Sequence, residues 1–143
     1  HGGHLLAAAA GKNVHIFGIR SLAKVVTLQG HRHQVTSLCF DPEDHSLWSC
    51  GQDGRLLRWD TQTWSQAAEH TANGCEYHAA SSSASGSVCC SASQGSGRLL
   101  QRFEGCDLEH ELQLPGPAQV TALCGFGGAG GAFGGTSAGV LQV

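Results

Sequence analysis

His31, Ser49 and Asp53 are the residues of this chain whose types could act together on a substrate. Histidine, serine and aspartate are the base, nucleophile and orienting acid of acyl transfer. That chemistry needs a serine exposed on a sharp turn, beside backbone N–H groups that hold an oxyanion. Ser49 stands instead inside the apolar run "SLWSCG", with no Gly-x-Ser-x-Gly around it. His31, His33 and His45, with Cys39 and Cys50, invite a metal. Their spacing fits none of the usual zinc patterns, so no stoichiometric metal is expected. Cys89 and Cys90 are adjacent on one extended run and would point to opposite faces, which prevents them from chelating one ion. The stretch "GFGGAGGAFGGTSAG", 125 to 139, has the glycines of a phosphate loop but no lysine. With strands expected on both sides it reads as turn and loop. No cofactor is implied.

Composition narrows the classes further. The chain has 143 residues, of which 41% are hydrophobic and only 13% charged, and a net charge of -3. Such a balance offers no basic face, so no nucleic-acid partner is expected. No apolar run approaches the roughly 20 residues of a spanning helix, so no membrane is expected either. The 7 cysteines are odd in number and include no C-x-x-C pair. They read as reduced, mostly buried small hydrophobes of an intracellular protein. The chain starts on His1 and holds no Met, and is expected to be a piece of a longer polypeptide.

A repeat organises the rest. Gly11, Gly54, Gly97 and Gly139 each precede a short apolar run, at spacings of 43, 43 and 42. A second column agrees, since "VTSLCF" at 35 to 40 returns as "VTALCGF" at 120 to 126. Within a period, β-prone runs alternate with turn signals such as "DPED" and "QDG". About 14 strands are expected, divided as three, four, four and three. The fold class is therefore all-β, and a four-stranded sheet every 40 to 45 residues is a propeller signature.

Residues 30 to 60, "GHRHQVTSLCFDPEDHSLWSCGQDGRLLRWD", resemble a WD-repeat blade. The resemblance rests on Gly30-His31, Asp41-Pro42, Asp53-Gly54 and Trp59-Asp60. It implies one WD-repeat β-propeller, present in part. Full blades would lie at about 30–71 and 72–115, and partial blades at 1–29 and 116–143. It also implies a structural tetrad, with His31 between Asp53 and Ser49 and the Ser49 hydroxyl at the Trp59 indole. A buried imidazole, hydroxyl and indole N–H each need such a partner. The later periods lose these letters. Phe103 falls near the tryptophan position and Ser96 near the aspartate position, while Pro117 and Val143 take the histidine and tryptophan places in the last.

A propeller has no chemistry unless residues are added at its channel. The inner runs "VTSLCF", "YHAASSS" and "VTALCGF" bring no carboxylate and one histidine, His78, so no enzyme is expected. Trp48 is expected to pack between sheets, and Trp64 is a candidate partner contact. "SCGQDGRLLRWD" followed by "GCEYHAASSS" is similar to the end of a propeller in cilia- and flagella-associated WD-repeat proteins. That likeness implies a non-catalytic scaffold of the axoneme, with protein partners in a multi-subunit, axonemal or microtubule-associated complex. The alternatives are a general intracellular WD-repeat adaptor (ubiquitin transfer, RNA processing or trafficking) and an enzyme-associated propeller. With open sheets at both ends, the chain alone is expected not to fold as a stable monomer.

Overall fold

A computed structural model of the chain describes residues 4–116, 119–125, 132–136 and 139–142. Among these residues are 14 strands and no helix. The first sheet holds β1 (Leu5–Ala10), β2 (Asn13–Gly18) and β3 (Lys24–Gln29). The second holds β4 (Val35–Phe40), β5 (Ser46–Gly51), β6 (Arg55–Asp60) and β7 (Gln66–Thr71). The third holds β8 (Cys75–Ser82), β9 (Val88–Gln94), β10 (Gly97–Glu104) and β11 (Asp107–Leu114). The fourth holds β12 (Val120–Gly125), β13 (Ala132–Thr136) and β14 (Gly139–Gln142). In every sheet, strands adjacent in sequence are neighbours in space and antiparallel. Pro117, Val143 and the glycine run at 126–131 lie outside the described residues.

Local chemistry sets the hairpins. Asp41 accepts the His45 N–H at 2.8 Å and its carbonyl accepts the Asp44 N–H at 3.1 Å. That is the Asx-type closure expected of "DPED". At the next turn Gly54 has φ +69, and an added Cβ would sit 2.3 Å from the Ala72 carbonyl oxygen. Glycine is needed there both for conformation and for the close approach of the 72–75 linker. Gly11 repeats the positive φ. Gly97 departs from the expected column. It is already inside β10, and Gly95, at φ +58, makes the turn. The third sheet has a shorter hairpin there, since Gln94 pairs directly with Gly97, whereas Cys50 pairs with Leu56 in the second.

The sheets stack face to face and bury two cores. Val14, Ile16 and Leu28 of the first sheet meet Val35, Leu47, Leu57 and Trp59 of the second. On the opposite face, Trp48, Cys50 and Leu56 meet Cys75, Tyr77, Val88, Cys90, Leu99 and Phe103 of the third. The second sheet is covered on both sides, so all six residues of β5 are buried. Period-2 alternation therefore distributes β5 between two cores rather than between core and water. Trp48 packs against the third sheet with the Arg58 guanidinium 5.7 Å from its ring. Hydroxyls tie β4 to β8. Thr36 donates to the Tyr77 carbonyl at 2.7 Å, Ser82 donates to the Phe40 carbonyl at 2.6 Å, and Ser37 accepts the Ala80 N–H at 3.1 Å.

Candidate functional site

The second sheet brings together four residues spread over 29 positions. His31 lies just before β4, Ser49 on β5, Asp53 in the β5–β6 turn and Trp59 on β6. The His31 Nδ1 is 3.1 Å from both Asp53 oxygens, and its Nε2 is 2.8 Å from Ser49 Oγ. The Trp59 indole N–H donates to that same Oγ at 2.9 Å. One proton arrangement satisfies every atom. Nδ1–H donates to the carboxylate, the Ser49 hydroxyl donates to Nε2, and the Ser49 oxygen accepts the indole N–H. Asp53 also accepts the backbone N–H groups of Arg32 at 2.7 Å and Arg55 at 3.1 Å. Burial works to raise its pKa, but the Arg32 N–H, the His31 ring and the Arg55 N–H outweigh burial and hold it below the ordinary carboxylate value.

These distances are those of a catalytic triad, and the surroundings are not. Ser49 is 0% exposed and its oxygen is engaged on both sides. Backbone closeness makes the enclosure tight. A Cβ at Gly30 would lie 2.8 Å from Leu57 Cδ1 and 2.9 Å from Trp59 Cη2. The six-membered ring of the indole thus lies close against the glycine that precedes His31. Beside the tetrad, Arg55 grips both Glu69 oxygens at 2.9 and 2.6 Å and donates to the Gly30 carbonyl. The Arg55 guanidinium, aided by the Thr71 hydroxyl, holds the Glu69 carboxyl down at about 2.

In the third sheet a different polar chain occupies the core. The Tyr77 hydroxyl donates to Gln101 Oε1 at 3.0 Å, and Gln101 Nε2 donates to Glu111 at 2.7 Å. Burial pushes the Tyr77 phenol well up. Phe103, fully buried, stands edge-on to Tyr77 and to His70, with centroids 6.4 and 4.8 Å away. Ser96 sits exposed in the shortened turn. Sequence reasoning missed this chain because its members come from three strands and match no motif.

The remaining candidates are scattered. Trp64 is half-buried, with φ +55, and packs against the core of Leu57 and Trp59. His33 is exposed, and His45 meets Glu43 at 3.2 Å in the β4–β5 turn. Among the described residues no three His, Cys, Asp or Glu side chains are arranged to hold a metal. His78 sits at a β-bulge, with Nε2 2.8 Å from Ser93 Oγ, and burial lowers its pKa. The structure corrects the reading that β8 carries no carboxylate. The strand begins at Cys75 and so includes Glu76, which is exposed.

Cys50, Cys75 and Cys90 are buried, and no cysteine is in a disulfide. Burial pushes the Cys39 thiol up to about 12 and the Cys106 thiol to about 11, and raises Cys90 as well. Thiolates are the reactive form, so these thiols are inert at neutral pH. A thiol reagent added to folded protein at pH 8 is expected to modify exposed Cys124 first. Cys50 and Cys90 should react only at the rate of unfolding, as peptide mapping over time would show.

Four antiparallel four- or three-stranded sheets stacked face to face, with one His–Ser–Asp–Trp chain in the second, make part of a β-propeller of WD-repeat type. Among the described residues the sheets do not close into a ring. No family model matches the chain. Its curated relatives include Cilia- and flagella-associated protein 57 of Mus musculus, 35% identical over 83 residues, which is 58% of this chain and 7% of that protein. Another is the guanine nucleotide-binding protein subunit beta of Arabidopsis thaliana, 42% identical over 57 residues, or 40% of this chain and 15% of that protein. Among solved structures, the β-propeller domain of Myceliophteria thermophila Cps50 (Swd1) matches with a TM-score of 0.77 at 17% identity. That match covers 98% of this chain and 49% of the solved one. The chain thus spans about half of a solved propeller and a small part of its curated relatives. No helix among the described residues is long and apolar enough to cross a membrane.

Proposed function

We propose that the chain is a non-catalytic protein-interaction scaffold of the ciliary or flagellar axoneme. Its four sheets serve as propeller blades within residues 1–29, 30–71, 72–115 and 116–143, the first and last partial. The observation that carries the axonemal reading is the 35% identity to a mouse cilia- and flagella-associated protein, which extends over 83 residues. The scaffold reading draws on the site itself. The His31–Ser49–Asp53–Trp59 chain is consumed internally, so it serves folding, and the faces and rim are left for docking protein partners. The test is fractionation. A tagged protein expressed in ciliated cells should remain with detergent-extracted, microtubule-containing axonemes and cross-link to axonemal proteins. Recovery only in the soluble cytoplasm would sink the axonemal reading. It would favour the general adaptor, which the 42% identity to a G-protein β subunit supports.

A further inference from the structure

Charge is segregated along this chain. Residues 1–40 carry Lys12, Arg20, Lys24 and Arg32 and no Asp or Glu. From residue 103 onward the chain carries Glu104, Asp107, Glu109 and Glu111 and no Lys or Arg. Exposed apolar surface follows the same division. Of the six large hydrophobics exposed among the described residues, Ile19, Leu22 and Val25 flank Arg20 and Lys24. Leu108 and Leu112 alternate with the acids of β11. Leu22, 72% exposed, is held at φ +50, a conformation that side-chain-bearing residues rarely adopt.

Lys24 and Val25 lie on β3, with Ile19, Arg20 and Leu22 in the turn before it, and Asp107, Leu108, Glu109, Glu111 and Leu112 lie on β11. β3 ends the first sheet and β11 ends the third, and neither has an outer neighbour among the described residues. An edge strand presents a row of unpaired N–H and C=O groups that can template another strand. Seven of the eight residues of β11 are exposed. Arg102, at 3.5 Å from Glu109 and 3.9 Å from Glu104, offsets only part of the acidity there.

We infer that β11 of one copy pairs edge to edge with β3 of a second copy, so that the protein self-associates head to tail. The acids on β11 repel another β11, which guards that edge against symmetric pairing. The same acids attract the β3 edge, where Lys24 on the strand and Arg20 in the turn before it carry positive charge. Ile19, Leu22 and Val25 then meet Leu108 and Leu112, removing from water the apolar groups that each rim exposes. The contact is heterologous. A joined pair still has one β3 edge and one β11 edge free, one at each end, and the assembly grows as a row rather than closing as a dimer. This goes beyond the scaffold reading and does not depend on the axonemal one.

The test is sedimentation velocity of the intact polypeptide over a concentration series at low and high salt. Self-association should weaken at least about tenfold as the Debye length shortens. The paired variants R20E/K24E and D107K/E109K should each stay monomeric alone. An equal mixture should associate again, because each variant then offers the other two complementary edges. Amide hydrogen exchange of the unmodified protein gives a second reading that needs no variant, and raising the concentration should slow exchange at β3 and β11. The inference fails if the protein is monomeric throughout, or if association ignores both charge reversals. It fails too if slowed exchange falls elsewhere. Monomeric protein whose β11 is protected by an unrelated basic peptide would also overturn it, assigning the edge to a different partner.

Discussion

Trp59→Ala should lower stability by about 3–5 kcal/mol, from the cavity left by a buried aromatic ring. Trp59 is 3% exposed and packs with Leu47 and Leu57 against Val14, Ile16 and Leu28 of the first sheet. Its removal empties the space over Gly30, whose own missing Cβ cannot fill the void. It also takes from Ser49 Oγ the indole N–H donor. Trp59→Phe separates the two effects. Phenylalanine keeps most of the ring and loses the N–H, so its cost should be smaller, about 1–2 kcal/mol. Denaturant unfolding of both variants, with the unfolding slope unchanged, is the measurement. Equal stability of Trp59→Ala and the parent would remove the tetrad from the core.

Much of this architecture can be read from residue order, because the signals are local. Turn chemistry at "DPED" and "QDG" is carried by the turn residues themselves, and β-branched runs between turns specify strands. The hairpin rhythm, the all-β class and the 3-4-4-3 division follow from those short-range rules. The second blade is readable in more detail because Gly30, His31, Ser49, Asp53 and Trp59 answer to one another's atoms. What cannot be read is set by packing between sheets. The Tyr77–Gln101–Glu111 chain joins residues 24 and 10 positions apart with no turn or spacing to announce it. Gly97 falls on the repeat, but a shorter hairpin hands its task to Gly95. A repeat of letters need not be a repeat of conformations.

Asp53→Ala should destabilise the second sheet by more than a single hydrogen bond is worth. Three donors converge on this carboxylate, the His31 ring and the backbone N–H groups of Arg32 and Arg55. Stranding even one buried donor costs about 1–3 kcal/mol, and charge-assisted bonds lie at the upper end. Asp53→Asn keeps an acceptor oxygen but loses the charge, so its cost should fall between those of alanine and the parent. Acidity gives an independent reading. The folded protein holds the Asp53 pKa below its ordinary 3.8, so the unfolded state binds the proton more readily. The stabilisation is therefore fully present above about pH 4–5 and is lost as pH falls through the folded value. Glu69, held at about 2 by Arg55, adds a loss of the same sign between its ordinary 4.5 and that value. The difference in unfolding free energy between the parent and Asp53→Ala should thus be constant near neutrality and shrink below about pH 4. A difference that does not change from pH 7 to pH 2 would mean that Asp53 contributes no charge-dependent stability. Normal stability combined with loss of one specific reaction would overturn the structural role of the tetrad.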